Sequence, residues 1–194
     1  MAWATALTEK VNQISEVPVL LWRTVASPQA NMLAWSTALT NLAVLEARSD
    51  KLAADDGYLS LVAEGAKHAS ADTLTDSLTE MIHADPDVDP AHLRYVTAAS
   101  ATAAEGNMTR AIEVGVEIAK LIKTVTRCPA SFGVALTGPY GTVQWSTYFG
   151  SIEELEEASR KIRTDSSLAK LFEGEAKQVF MQNTAQQTIV RRIL

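Results

Sequence analysis

Residues 145–177 read WSTYFGSIEELEEASRKIRTDSSLAKLFEGEAK, and residues 35–67 read WSTALTNLAVLEARSDKLAADDGYLSLVAEGAK. Set against each other without gaps, the two stretches are identical at eleven of thirty-three positions, whereas chance at average composition gives roughly two. The identities include the opening Trp-Ser-Thr and the closing Ala-Lys. We therefore predict an internal duplication with an offset of 110 residues, and the fold prediction is built on it.

Both copies open with the pattern of a strand. Apolar side chains alternate with polar or small ones, as they do in a strand that buries one face. The alternating residues are Leu33, Trp35, Thr37 and Leu39 in the first copy and Val143, Trp145, Thr147 and Phe149 in the second. Each copy is therefore predicted to begin with a half-buried strand.

Two helices follow this strand in each copy. Ser151 and Glu154 form a capping box at the start of the first helix, and Asn41 holds the equivalent N-cap position in the other copy. Asp55 and Asp165, which are equivalent in the repeat, are predicted to begin the second helix. The reason is that an aspartate side chain accepts hydrogen bonds from the free N–H groups of a first helical turn.

The remaining segments complete each half into a βαββαβ unit with its second helix broken in two, which is the ferredoxin-like unit. In the first half they are a strand at 2–7, a short helix at 8–17, a strand at 20–26, a turn at 27–30 and a closing strand at 77–83. In the second half they are a strand at 93–99, a helix at 107–125, a strand at 132–136, a turn at 138–141 and a closing strand at 188–194.

The predicted fold class is α+β, with two fused ferredoxin-like repeats. The first repeat spans residues 1–84 and has a shortened first helix, and the second spans residues 93–194. Residues 85–92 between them contain two prolines and three aspartates, a composition that is typical of a linker.

Residues 148–158, YFGSIEELEEA, followed by Asp165 before a short helix, resemble the middle of a dimeric α/β-barrel domain. This superfamily includes NIPSNAP-like and antibiotic-biosynthesis-monooxygenase-like proteins. The resemblance implies that two four-stranded sheets form one barrel with helices outside, here an intramolecular barrel built by both halves. Members of the superfamily include cofactor-independent oxygenases, haem-binding enzymes and isomerases. None of their catalytic signatures matches this chain residue by residue.

Composition and charge exclude several classes of function. Hydrophobic residues make up 47% and charged residues 21% of the 194 residues, as in ordinary globular proteins. A net charge of -6 without a basic cluster argues against nucleic-acid binding. The single cysteine, Cys128, excludes a cysteine-rich metal site and favours a reducing, cytoplasmic compartment. The sequence shows neither a secretory signal nor an apolar run that predicts membrane insertion.

Aromatic residues supply most candidates for a ligand pocket. Trp22, Trp35 and Trp145 lie on predicted strands, and Tyr95 aligns with Trp3 on the first strand of each half. Aromatic side chains on the inner face of a sheet pair line apolar pockets, but they also serve simply as core. The repeat relation between Trp35 and Trp145 favours the core interpretation for those two residues.

Three polar residues are candidates for contacts with a ligand. Arg23 lies in the middle of a strand, and its repeat equivalent is Gly133, so it breaks the symmetry and is suited to gripping an anionic group. His83 and His92 fall where strands end and are candidates for an acid, a base or a haem ligand. The alternatives are that Arg23 faces outward and pairs with a helix carboxylate, and that the two histidines are rim residues near the linker without a role in binding. No histidine or carboxylate spacing of the metal-site type is present, so neither a metal nor a cofactor is predicted.

The sequence leaves three functions open. The first is a barrel that binds a small apolar molecule, with Arg23 and a rim histidine as polar contacts. The second is a self-assembling scaffold without catalysis, a homo-oligomer in which copies cover each other's sheet edges. The third is a cofactor-independent monooxygenase or isomerase, which only the superfamily resemblance supports.

Overall fold

The computed structural model describes residues 1–27, 32–69 and 74–194, and the chain forms two compact units. The first unit comprises residues 1–24, 31–76 and 192–194, and the second comprises residues 25–30 and 77–191. The domain limits that we predict at residues 84 and 93 stay a prediction. Residues 28–30 of the predicted turn at 27–30 lie outside the described residues.

Among its described residues, the first unit has three helices and an antiparallel pair of strands. Its elements are α1 (Ala2–Ile14), β1 (Leu20–Ala26), β2 (Leu33–Ser36), α2 (Leu42–Ala53) and α3 (Asp56–Gly65). β1 and β2 are antiparallel, with Trp22 opposite Ala34. Asn41 caps α2 by accepting a hydrogen bond from the Val44 N–H, and Asp55 caps α3 in the same way from Tyr58, so both predicted N-caps are confirmed.

The prediction of a strand at residues 2–7 is wrong, because α1 occupies this segment. The buried residues of α1 are Ala4, Thr8 and Val11, which follow the helical spacing of three and four rather than the period of two. Alanine also has the highest helix propensity. Trp3 therefore lies on a helix, and its indole N–H donates to the Leu61 carbonyl of α3 at 2.7 Å.

The second unit has the predicted βαββαβ order, preceded by one more strand. Its strands form an antiparallel sheet in the order β7-β4-β6-β5-β3. The elements are β3 (Thr79–His83), β4 (Tyr95–Thr102), α4 (Met108–Thr126), β5 (Ala130–Ala135), β6 (Thr142–Phe149), α5 (Ile152–Thr164), α6 (Ser166–Leu171), a π-helical turn (Phe172–Ala176), α7 (Lys177–Val179) and β7 (Gln186–Arg192).

Local signals in the second half are confirmed. The Ser151 hydroxyl accepts a hydrogen bond from the Glu154 N–H, and Asp165 accepts from the first N–H groups of α6. Gly138 and Gly141 have φ of +90° and +80°, a conformation that the turn between β5 and β6 requires and that glycine adopts without strain. Because the first unit begins with a helix, the internal duplication itself stays a prediction.

One face of the second unit's sheet forms the hydrophobic core with α4. Alternate residues of β6 are buried, from Val143 to Phe149, and they face the helices. Helix α4 approaches the sheet closely at Gly115, because a Cβ placed there would lie 2.2 Å from the Phe132 ring. The Trp145 indole N–H donates to the Gly115 carbonyl at 2.8 Å, which ties β6 to α4.

Asp85, in the predicted linker, is a buried junction between three segments. Its side chain is fully buried and accepts hydrogen bonds from the Lys123 ammonium of α4 at 2.8 Å and from the Ala130 N–H of β5 at 3.1 Å. The Asp87 N–H donates to the same carboxylate at 2.9 Å, and the Asp85 N–H donates to the Ser131 hydroxyl. This part of the linker is therefore integral to the second unit.

We expect the protein to lose stability in acid through Asp85. Burial raises the pKa of this carboxyl, but the hydrogen bonds from Lys123 and from the Asp87 and Ala130 N–H groups lower it by more, so its pKa lies below the usual value. Its contribution is complete above the unfolded pKa of about 3.9 and is lost as the pH falls through the lower pKa of the folded state.

Urea unfolding at a series of pH values measures this loss. The midpoint should fall as the pH drops below about 4 in the wild-type protein, and less steeply in Asp85→Asn, which has no carboxyl to protonate. An acid dependence that Asp85→Asn leaves unchanged would assign the effect to other carboxylates.

Candidate functional site

A pocket of about 570 Å³ lies in the second unit, on the face of the sheet that the helices cover. Its volume is within the range of sites that bind small molecules. Its lining comes from β4, α4, β6, α5, the π-helical turn, α7, the segment between α7 and β7, and β7 itself.

Small side chains on the central strand β4 form the floor of this pocket. Ala99 pairs with Trp145 of β6 on one side and with Gln187 of β7 on the other, so the three residues form one row across the sheet. Thr97 and Ala101 lie in the adjacent rows and also line the pocket. Because β4 carries only small residues at these positions, the space between the sheet and the helices remains open.

Aromatic and aliphatic side chains form the walls. Trp145 and Phe180 meet edge to face, with ring centroids 5.3 Å apart. Such pairs stabilise each other beyond the area that they bury. The other apolar residues of the walls are Ile118, Ile122, Phe149, Ile162, Phe172 and Met181. The interior is thus suited to a flat, largely apolar molecule.

A π-helical turn shapes one wall. α6 continues into this turn at Phe172–Ala176, and both of its end residues line the pocket. Phe172 remains 41% exposed at the pocket's edge, although it is a large aromatic residue. π-Helical turns within helices occur frequently at functional sites, because the extra residue re-aims the side chains around it.

The segment between α7 and β7 forms the mouth of the pocket and is anchored on the end of β4. The Met181 N–H donates to the Thr102 carbonyl at 2.8 Å, and the Thr102 N–H donates to the Thr184 hydroxyl at 3.1 Å. Asn183, between these anchors, has φ of +62°, a conformation that asparagine tolerates better than most residues. The mouth is therefore held in place by hydrogen bonds to the backbone of Thr102.

Polar groups of the lining have unused hydrogen-bonding capacity. Thr97 and Thr147 pair across β4 and β6, and Thr147 is only 6% exposed. Among the described residues, neither hydroxyl has a hydrogen-bond partner, and neither do the side-chain amides of Gln182, Asn183 and Gln187. These groups are available to carbonyl or hydroxyl groups of a ligand.

Lys177 is the one ionisable side chain among the described residues that line the pocket. It is exposed and lies at the start of α7, after the π-helical turn. With no carboxylate, imidazole or thiol in the lining, the arrangement offers binding and polar orientation, and only this ammonium group could hold a charge.

Of the residues predicted from the sequence, Trp145 lines the pocket. Tyr95 lies on the same face of β4, in the row of Phe149, and packs against the cluster around Phe149 and Leu155. The structure thus brings Tyr95 near one end of the pocket's wall without placing it in the lining.

Trp22 and Trp35 lie in the first unit. Trp22 is buried, and its indole N–H donates to the Ser36 hydroxyl at 2.7 Å. Trp35 is 37% exposed, and its indole N–H donates to the buried Thr8 hydroxyl of α1 at 2.8 Å. Both indole donors are therefore occupied within this unit.

Arg23 is exposed on β1, and it does not line the pocket. Its repeat equivalent, Gly133, has a packing explanation, because a Cβ there would lie 2.7 Å from the Glu80 carbonyl of β3. The pairing of β3 with β5 therefore requires glycine at position 133, and this requirement explains part of the difference between the two positions. A role for Arg23 in ligand binding stays a prediction.

The histidines and the cysteine lie outside the pocket lining. His83 is half-buried at the end of β3 opposite Phe132, and His92 is exposed with its ring hydrogen-bonded to Asp89. This hydrogen bond holds the pKa of Asp89 below its usual value. Burial raises the pKa of the Cys128 thiol, which makes it a poor nucleophile near neutral pH.

Neither a metal cluster nor a membrane span is found in the described ranges. Within residues 1–27, 32–69 and 74–194, no three His, Cys, Asp or Glu side chains are grouped so that they could hold a metal ion. No helix in those ranges combines the length and the apolar character that crossing a membrane requires.

Most residues that line the pocket were not predicted from the sequence. The segment FEGEAKQVFMQN at 172–183 carries Phe172, Ala176 and Phe180 at a spacing of four, which signals one apolar face. Nothing in the segment shows that this face meets small residues of β4 instead of large ones. Lys177 is the last residue of the repeated stretch, where it is identical to Lys67, and this identity does not indicate a place in the pocket.

No protein-family model and no curated protein matches the chain. Solved structures do match it. A candidate monooxygenase from Fusobacterium nucleatum subsp. nucleatum ATCC 25586 is 8% identical, with a TM-score of 0.71 over 100% of this chain and 84% of its own. An anthrone oxidase-like protein is 12% identical, with a TM-score of 0.59 over 99% and 85%.

A third solved structure belongs to a major regulator of staphylococcal pathogenesis. It is 6% identical, with a TM-score of 0.59 over 100% of this chain and 94% of its own. At such identities these likenesses show the fold alone, and they agree with the α+β architecture of an antiparallel sheet covered by helices. The same fold serves candidate oxygenases and a regulator, so activity has to be argued from the site.

Proposed function

We propose that this protein binds a small, flat, largely apolar aromatic molecule in the pocket of its second unit. The observation that carries the proposal is the pocket of about 570 Å³ between small residues of β4 and a wall that contains Trp145 and Phe180. Aromatic rings gain most from such walls, because edge-to-face and offset contacts add to the burial of apolar surface.

The polar groups of the pocket support a ligand that also carries oxygen. Thr97 and Thr147 line the pocket as neighbours across two strands. A hydroxyl that lies in an apolar site without a partner is stabilised when a ligand supplies the hydrogen bond. An aromatic ketone, quinone or phenol fits this combination better than a pure hydrocarbon.

Filling the pocket should weaken binding strongly without unfolding the protein. We expect Ala99→Leu to weaken the binding of the fluorescent probe N-phenyl-1-naphthylamine by at least about tenfold, because the added carbons occupy the floor. Fluorescence titration measures the affinity, and circular dichroism follows thermal unfolding. Ala169→Leu makes the same change on the exposed side of α6 and should leave affinity unchanged.

Phe172→Ala provides a second variant that removes a partly exposed wall residue. It should lower the affinity for the same probe about three- to tenfold, since one aromatic contact is lost. Native mass spectrometry of protein purified from its own cells should show an additional mass that leaves on denaturation. A wild-type protein that binds no probe, or an Ala99→Leu variant that binds as well as Ala169→Leu, would contradict the proposal.

A second candidate function is oxidation of the bound molecule by oxygen. It is favoured by two fold neighbours, one described as a candidate monooxygenase and the other as an anthrone oxidase-like protein. Anthrone is a suitable probe, because one anthrone and one dioxygen give one anthraquinone and one water, with the substrate as the only reductant. Oxygen consumption above the uncatalysed rate, lost in Ala99→Leu, would support it. A rate equal to the uncatalysed one would reject it.

Self-assembly remains a separate proposal. Strand β3 is at one edge of the second unit's sheet and exposes Met81 and Ile82, and exposed apolar edges favour pairing between chains. Light scattering during size-exclusion chromatography determines the oligomeric state. A monomer at all concentrations would reject homo-oligomer formation and leave the binding proposal unaffected.

A further inference from the structure

We infer that the ligand of this pocket carries an anionic group and that Lys177 binds this group at the pocket mouth. The inference rests on the proposed function, because it concerns the same pocket. It adds the charge of the ligand, which the aromatic walls do not determine.

Lys177 has no competing partner. It forms no ion pair and no side-chain hydrogen bond with other residues of the described ranges. Of the acidic residues just before it, Glu175 is paired with Arg110, and neither Glu173 nor Glu175 lines the pocket. The ammonium group therefore retains its full capacity for an external anion.

The surroundings make this position selective. The protein carries a net charge of -6, so its overall charge disfavours the binding of anions elsewhere on the surface. Lys177 stands beside apolar residues of the mouth, with Phe172 five positions before it and Phe180 three positions after it on the same stretch of chain. An ion pair next to apolar walls is less exposed to water than one on an open surface, and its interaction is stronger for that reason.

The mouth also supplies uncharged donors next to the ammonium group. The amides of Gln182, Asn183 and Gln187 line the same pocket without side-chain partners among the described residues. A carboxylate, sulfonate or phenolate accepts hydrogen bonds from ammonium and amide groups together. An aromatic anion would thus place its rings against Trp145 and its charge at the mouth.

Two probes that differ in one sulfonate test the inference. N-Phenyl-1-naphthylamine is neutral, and 1-anilinonaphthalene-8-sulfonate has the same rings with an anionic group. We expect Lys177→Met to lower the affinity for the anionic probe about three- to tenfold, and this loss should become smaller as salt is added. The affinity for the neutral probe should stay within about twofold of the wild-type value. Lys177→Arg should keep the affinity for the anionic probe, because it keeps the charge.

Lys170→Met is the matched control, since Lys170 is an exposed lysine of the preceding helix and lies outside the lining. This variant should leave the affinities for both probes unchanged. If the wild-type protein binds the neutral probe and Lys177→Met binds the anionic probe as tightly as the wild type, the inference is wrong and the proposed function stands. If neither probe binds the wild-type protein, both are wrong.

Discussion

Asp85→Ala should lower the free energy of unfolding by about 2–4 kcal/mol, because it removes the acceptor of a buried hydrogen-bond junction. The Ala130 N–H at the start of β5 is buried and would lose its partner. The Lys123 ammonium would lose its buried partner as well, although it would keep the exposed Asp87. Urea unfolding followed by circular dichroism measures the change.

Asp87→Ala is the matched control for this prediction. Asp87 contacts the same lysine, but its side chain is 68% exposed, and exposed ion pairs contribute little to stability. Its removal should cost a small fraction of the loss in Asp85→Ala. Equal losses in the two variants would show that the ion pair with Lys123 matters and the burial of Asp85 does not.

Gly115→Ala should destabilise the protein by about 1–3 kcal/mol, although alanine in a helix normally stabilises relative to glycine. The added Cβ would lie 2.2 Å from one ring carbon of Phe132 and 2.3 Å from another, so α4 or β5 has to move. The Gly115 carbonyl also accepts the hydrogen bond from Trp145. Because Trp145 forms a wall of the pocket, the affinity for N-phenyl-1-naphthylamine should fall as well.

Gly174→Ala makes the same change where a Cβ meets no heavy atom within 4 Å. It should leave the urea midpoint unchanged or raise it slightly, because alanine restricts the unfolded chain. A Gly115→Ala variant as stable as the wild-type protein would contradict the close approach of α4 to Phe132.

Much of the second unit could be predicted from the sequence. The cap at Ser151, the start of α6 at Asp165 and the turn with Gly138 and Gly141 depend on hydrogen bonds and φ angles within a few residues. Such interactions involve residues that are close in the sequence, so they can be predicted without the tertiary structure.

The error at the N-terminus has a physical cause. Residues 2–7 alternate in a way that fits a strand, and Ala4, Thr8 and Val11 equally fit a helix. The apolar pattern did not separate the two, whereas the high helix propensity of alanine and the tertiary packing both favour the helix. The Trp3 indole reaches the Leu61 carbonyl, and its ring lies over Gly65, so this segment is stabilised by α3.

The pocket shows the same limit. Alternation along β6 identified Trp145 as inward-facing, and the sequence alone determined that much. The sequence by itself also determined the βαββαβ order of the second half and the ends of its helices, because these follow from neighbours along the chain. Only the tertiary structure decided that Ala99 lies in the row between Trp145 and Gln187, and that Lys177 lines the same pocket. Strand register and helix placement join residues tens of positions apart, and an unfilled space between them has no signature in the residues of any one segment.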